Sequence, residues 1–188
     1  MKKMFNIFKK AENNNTPAQN LYIVLKNEDL TKSPFDTDDL GEDMTLVKES
    51  IFGWWKPVYV MDHRNKTAFR FLDSSMCLAF ATTEDIDWES LEGIDGDAHD
   101  RAEELDARFP TWIRSYKNGV AEVSWQINPD GRYYMDDDGF GMTDDEELEI
   151  YGFIDRTGKV LVKFKHIRED WDDLKRMRKE AEKLAKEQ

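Results

Sequence analysis

Cysteine is almost missing from this chain: its 188 residues hold one, Cys77. A lone thiol closes no internal disulfide, so nothing here asks for an oxidising compartment. Cys77 lies in the apolar run 76–80, where it reads as a small buried hydrophobe and not as a nucleophile, which needs exposure beside a base. Long hydrophobic runs are missing as well, and no stretch approaches the roughly 18 apolar residues of a membrane span. The chain opens Met1-Lys2-Lys3 as a signal peptide would, but residues 4–8 are too short for the apolar core of one, and Lys9-Lys10 follow. These absences lead us to expect a cytoplasmic, soluble protein. Motif grammar is equally thin. There is no glycine-rich phosphate loop ending in Lys-Ser or Lys-Thr, no dinucleotide fingerprint, no Gly-x-Ser-x-Gly elbow and no His-Glu-x-x-His. The three histidines are far apart: His63 in a turn, His99 in an acidic stretch, His166 at a strand end.

Basic charge is scarce where the chain is longest. Asp and Glu number 40 against 27 Lys and Arg, a net charge of −13. Residues 1–20 carry four Lys and one Glu, and residues 156–188 eleven basic and seven acidic side chains. The middle, 21–155, therefore holds 32 acidic and 12 basic residues. A body of one sign attracts cations and basic surfaces and repels nucleic acid and anionic membrane. The basic tip is the exception. Met4, Phe5, Ile7 and Phe8 among four lysines either fray, pack on their own domain, or make weak contact with an anionic membrane.

What the chain does have is aromatics, 12% of residues with six Trp and eleven Phe. Disordered chains are poor in these, so a core built on large rings is expected despite 36% charged residues. Residues 1–20 read as a basic tip and polar tether, 21–167 as a single α+β domain, and 168–188 as a C-terminal amphipathic helix. Within the domain, 21–25 reads as a short strand and 27–43 as an acidic loop. Apolar residues at 44, 47, 51, 54 and 55 carry a helical spacing, with Asp43 as its cap. Residues 58–61 and 67–72 flank a turn at 63–66, and 76–82 makes a third run. Asp97 caps a helix to Phe109 that Pro110 ends.

After Pro110 the pattern is a β-meander. Asn118-Gly119 marks a hairpin because both residues tolerate positive φ. Residues 120–127 alternate apolar and polar, 128–131 make a type I turn, 132–135 return, and 150–154 with 159–164 form a hairpin around 155–158. Trp171, Leu174, Met177, Ala181 and Leu184 stripe the last helix, which is expected to dock by its first two turns. The fold class is α+β: an antiparallel β-meander sheet with two or three helices.

The stretch Tyr151-Gly152-Phe153-Ile154-Asp155-Arg156-Thr157-Gly158-Lys159-Val160-Leu161-Val162 resembles one unit of the WG-repeat family of bacterial proteins. That unit reads aromatic-Gly-aromatic-Ile-Asp-x-x-Gly-Lys, and Tyr151 stands where it usually has Trp. The resemblance covers about a dozen residues and implies a bacterial origin and a non-catalytic module. It transfers no site residues.

Two acidic constellations could carry chemistry. Laid on a calcium-binding EF-hand loop, residues 136–147 place Asp136, Asp138, Asp144 and Glu147 at positions 1, 3, 9 and 12, with Gly141 at 6. Calcium takes six to eight hard oxygens, and the glycine permits the bend. Phe140 removes the ligand at position 5, and the flanks read as strands where the motif has helices. The loop is thus either a Ca²⁺ site or an acidic loop without metal. His99 and Glu103 share a helix face at i,i+4 and could hold a transition metal, or simply start a solvated helix. The second constellation is Glu84, Asp85, Asp87, Trp88 and Glu89, an aromatic embedded in acid that suits a basic protein partner. Trp88 could equally be buried against the helix that follows.

These features lead us to expect an acidic bacterial interaction protein, plausibly an immunity-type inhibitor of a toxin, that binds a basic protein and no nucleic acid. The alternatives are a calcium-stabilised structural module and a carboxylate- or metal-dependent hydrolase, since paired carboxylates need only the right distance in space.

Overall fold

A computed structural model of the chain describes residues 17–51, 54–73, 78–91, 112–127, 148–167 and 171–187. Two four-stranded antiparallel meanders pack face to face, and each carries a helix on its outer side. The order of layers is helix, sheet, sheet, helix. The α+β class with meander sheets and a C-terminal helix therefore holds. Among the described residues, no helix is long and apolar enough to cross a membrane.

The first sheet contains β1 (Phe35–Gly41), β2 (Met44–Ile51), β3 (Trp54–Asp62) and β4 (Thr67–Arg70), in that spatial order. Its outer face is covered by α1 (Ala18–Lys26), whose Leu21, Tyr22 and Leu25 pack with Phe35, Val47, Tyr59, Met61 and Ala68. The second sheet contains β5 (Trp112–Ile113), β6 (Ala121–Ile127), β7 (Leu148–Ile154) and β8 (Val160–His166). On its outer face α2 (Trp171–Lys186) seats Met177 and Ala181 against Val120, Tyr151 and Phe153. Between the sheets lies the main core, where Leu40, Met44, Leu46, Val60 and Phe71 meet Ala121, Val123, Trp125, Ile150, Ile154 and Phe164. The Trp125 and Phe164 rings meet edge to face with centroids 5.6 Å apart, each burial being worth about 1.5–3 kcal/mol.

Several expectations give way to this arrangement. Residues 21–25 are helix and not strand. Leu21, Tyr22 and Leu25 then share one face, while Ile23 turns to solvent, a division that a period of two cannot make. The acidic stretch 27–43 holds β1, an edge strand, where carboxylates on the rim are tolerated. The helical spacing over 44–55 belongs instead to β2 and the start of β3. Both faces of that sheet are covered, so Met44 and Leu46 point into the main core and Val47 points under α1. Apolar residues on both faces erase the alternation that betrays a half-buried strand. Asp43 caps nothing: Glu42 and Asp43, with φ of 51° and 63°, form the tight hairpin turn between β1 and β2. Of the run 76–82, the described part contributes one bridge, Leu72 with Leu78.

The later elements follow their sequence signals more closely. Asn118 and Gly119 do turn at positive φ, and 155–158 joins β7 to β8. The last helix docks through its middle, at Met177 and Ala181, and leaves Trp171 in its first turn exposed. The expected helix 97–109 and the turn and strand over 128–135 lie outside the described residues.

Candidate functional site

Strand direction gives the sandwich two unlike ends. The turns at 41–44, 62–67, 117–120 and 154–160 all lie at one end, drawn together by a charged cluster. Arg156 reaches from the β7–β8 turn to Asp62 in the β3–β4 turn, with Nη2 2.6 Å from Oδ1 and Nε 2.9 Å from Oδ2, and its Nη1 donates to the Glu42 carbonyl at 2.8 Å. Asp62 is 1% exposed and also accepts the Arg64 and Asn65 N–H groups. Burial pushes the Asp62 carboxyl up, but the Arg156 guanidinium and the Asn65 donors outweigh it and hold it below the usual carboxylate range. Glu42 accepts the Asn118 and Gly119 N–H groups at 2.7 and 2.9 Å. Asp155 gathers the Thr157 and Lys159 N–H groups at 2.7 and 3.0 Å. Tyr116 donates its hydroxyl to the Asp155 carbonyl, and burial raises its pKa. These charges are spent on holding two sheets together.

The predicted contact residues 84–89 lie at the opposite end, on the connection that crosses between the sheets. Two short 3-10 turns, Thr83–Asp85 and Trp88–Leu91, frame them. Asp85 closes the first by accepting the Thr82 N–H at 2.8 Å. Ile86 is buried and bridges Phe164, and the Asp87 N–H donates to the Phe164 carbonyl at 2.8 Å. The Ser90 hydroxyl oxygen accepts the His166 N–H. The segment thus covers the free edge of β8, which would otherwise be a template for further pairing. Trp88 is half-buried against the main core, and the helix expected to follow it lies outside the described residues. Glu84 and Glu89 stand exposed. Ile86 and Trp88 anchor the segment while Glu84 and Glu89 face water.

Asp136, Asp138, Asp144 and Glu147 lie outside the described residues, as do Cys77, His99 and Glu103. Their attachment points can be placed. Residues 128–147 leave from Ile127 and rejoin at Leu148, which pair with each other at the end away from the tight turns. Residues 92–111 run from Leu91 to Trp112, beside that same end. Residues 128–147 hold eight acidic and one basic residue, and residues 92–111 seven acidic and two basic.

A second feature was not anticipated from the sequence. On the side away from β4 and β8, the edges of the two sheets run alongside each other, and the Tyr116 N–H donates to the Leu40 carbonyl at 2.6 Å. There an open groove of about 760 Å³ is lined by Asp38, Asp39, Leu40, Ile113, Arg114, Ser115, Tyr116, Lys117 and Arg178. Its first wall is acidic. Lys48 lies 3.0 Å from Asp36 and 2.9 Å from Asp38, one cation between two carboxylates, with Asp39 beyond. The facing wall is basic but partly neutralised. Glu122, 3% exposed, sits 2.8 Å from Arg114 and 3.0 Å from Arg178, joining β5 and α2 to β6. In sequence this stretch reads as an acidic loop, and pairing with β2 makes it an edge strand. His63 spans α1 and β2, with Tyr22 Oη 3.1 Å from Nδ1 and Thr45 Oγ1 2.9 Å from Nε2. No family model, no curated protein and no solved structure matches this chain.

Proposed function

We propose that this chain is a non-catalytic bacterial interaction protein whose acidic end captures a basic protein partner, in the manner of an immunity-type inhibitor. One observation carries the reading: both strongly acidic segments, 92–111 and 128–147, are tied to the same end of the second sheet. Glu84 and Glu89 stand exposed on the segment that runs along β8 and meets His166 through Ser90. The basic tight-turn residue Arg156 is consumed at the other end. A one-signed acidic field steers a cationic surface to the protein and raises the encounter rate, while rejecting anionic partners such as nucleic acid. The cytoplasmic setting belongs to this reading and rests on the single cysteine.

The test is complex formation with the product of the neighbouring reading frame, measured by calorimetry at low and high salt. Binding that weakens steeply with salt and ignores chelator supports the proposal. Binding that is indifferent to salt, or abolished by chelator, overturns it, the second outcome in favour of the calcium-stabilised alternative.

A further inference from the structure

We propose that β1 is a strand acceptor: an extended segment of a basic protein, with Lys or Arg alternating with apolar residues, pairs with its free edge in the groove between the sheets. The inference rests on the proposed function and adds a second contact for the same partner, along the side of the sandwich toward the tight turns.

Three observations carry it. The first is the contrast between the two seams of the sandwich. One is closed by the 78–91 connection, which bridges β8 at Phe164 and hydrogen-bonds along it. The other is bounded by β1, an edge strand of seven residues, and β5, an edge of two. Among the described residues no strand lies beside β1.

The second is which backbone groups face that seam. The Ser50 N–H donates to the Pro34 carbonyl, which makes Phe35–Glu49 a non-hydrogen-bonded pair in the register with β2. By the antiparallel alternation, Asp36 and Asp38 then bond to β2, while Thr37 and Asp39 turn their N–H and C=O groups to the edge. The Leu40 carbonyl is taken by Tyr116, so the pairing surface stops there and the register of an incoming strand has a fixed end.

The third is what lines the space. Leu40 and Ile113 offer apolar surface inside the groove, which suits one face of an added strand. Asp36, Asp38 and Asp39 outnumber the single Lys48 along β1, which suits basic residues on positions alongside them. Arg114 and Arg178 are drawn to Glu122, so the far wall opposes a basic segment less than its composition implies. A second copy of this chain is disfavoured, because pairing β1 with itself sets Asp against Asp. Main-chain pairing then supplies affinity and the alternating side chains supply specificity.

The experiment titrates the full chain with a fluorescein-labelled peptide of about eight residues alternating Lys and Val, a common strand length. The comparison peptide is identical but N-methylated on alternate residues, which removes the donors that pairing requires. We expect the N-methylated peptide and the Asp39→Lys variant each to bind about tenfold or more weakly. We also expect the amide resonances of Thr37 and Asp39 to shift and gain exchange protection on binding the unmodified peptide. Equal affinity for both peptides, or amide shifts away from residues 35–41, overturns strand addition and leaves the proposed function standing. If neither peptide nor the basic partner binds, both readings fall.

Discussion

Asp62 and Asp155 lie at the tight-turn end of the sandwich, Glu84 and Glu89 at the other, and the same functional group does opposite work in the two places. Asp62 is buried, bidentate to Arg156 and bonded to two backbone N–H groups. Asp155 organises its own turn through Thr157 and Lys159. Each of these carboxylates satisfies donors that folding would otherwise strand. Glu84 and Glu89 remain exposed on a segment whose anchoring is done by Ile86 and Trp88. Acid at the first end is structural and removable only at a cost in stability. Acid at the second costs the fold little and faces solvent.

The largest effect expected from breaking this contrast is at Arg156. Its replacement by Ala leaves Asp62 buried without its cation, and urea denaturation should report a loss of about 3–5 kcal/mol. Next come the glycines of the turns. Gly158 adopts φ +85°, and an added Cβ would lie 2.7 Å from the Phe69 ring, whereas Gly119 adopts φ +80° with open space around it. Gly119→Ala should cost about 1–2 kcal/mol from backbone conformation alone. Gly158→Ala should cost about 1–3 kcal/mol more, because it also overpacks the interface between the sheets. Equal melting temperatures for the two variants would show that Phe69 yields.

A pH series sharpens the same comparison. The Asp62 carboxyl sits below the usual range in the folded chain, so its contribution is fully present above about pH 4 and is lost as pH falls through its folded value. Arg156→Ala lacks that contribution at the outset. Denaturation at pH 7 and pH 3 should therefore show the gap between native and variant chains narrowing in acid. The smallest effect belongs to the far end. Glu84→Lys with Glu89→Lys should change stability by no more than about 0.5 kcal/mol while weakening capture of the basic partner and flattening its salt dependence. A large loss of stability there would collapse the distinction between the two ends.

The second sheet was far more legible than the first. Val123 and Trp125 alternate with polar Glu122 and Ser124, and Asn118-Gly119 and 155–158 are turns by local chemistry, so backbone preference and side-chain pattern agree. The first sheet defeats such reasoning because β2 and β3 carry apolar residues on both faces, whereas the helix-covered face of β6 holds Glu122, which pairs with Arg178 of α2. Val47, Tyr59 and Met61 are as buried as Met44, Leu46 and Val60, and a strand apolar on both faces loses its period of two. α1 failed as a prediction for a related reason: five consecutive apolar residues carry no period, and their docking against Val47 and Tyr59 decides the matter. Of the candidate site, the acidity of 84–89 was visible but the capping of β8 was not, since it depends on a bridge between residues 78 positions apart.

The sequence by itself determined the α+β class, the turn chemistry and the segregation of charge along the chain, because these follow from residue type and short-range conformational preference. Tertiary structure alone decided that Arg156 pairs with Asp62, that 78–91 lies along β8, and that β1 is, among the described residues, an edge strand. Each of these depends on which strands pair and which sheet faces which, and that is settled by burying apolar surface between residues far apart in the chain.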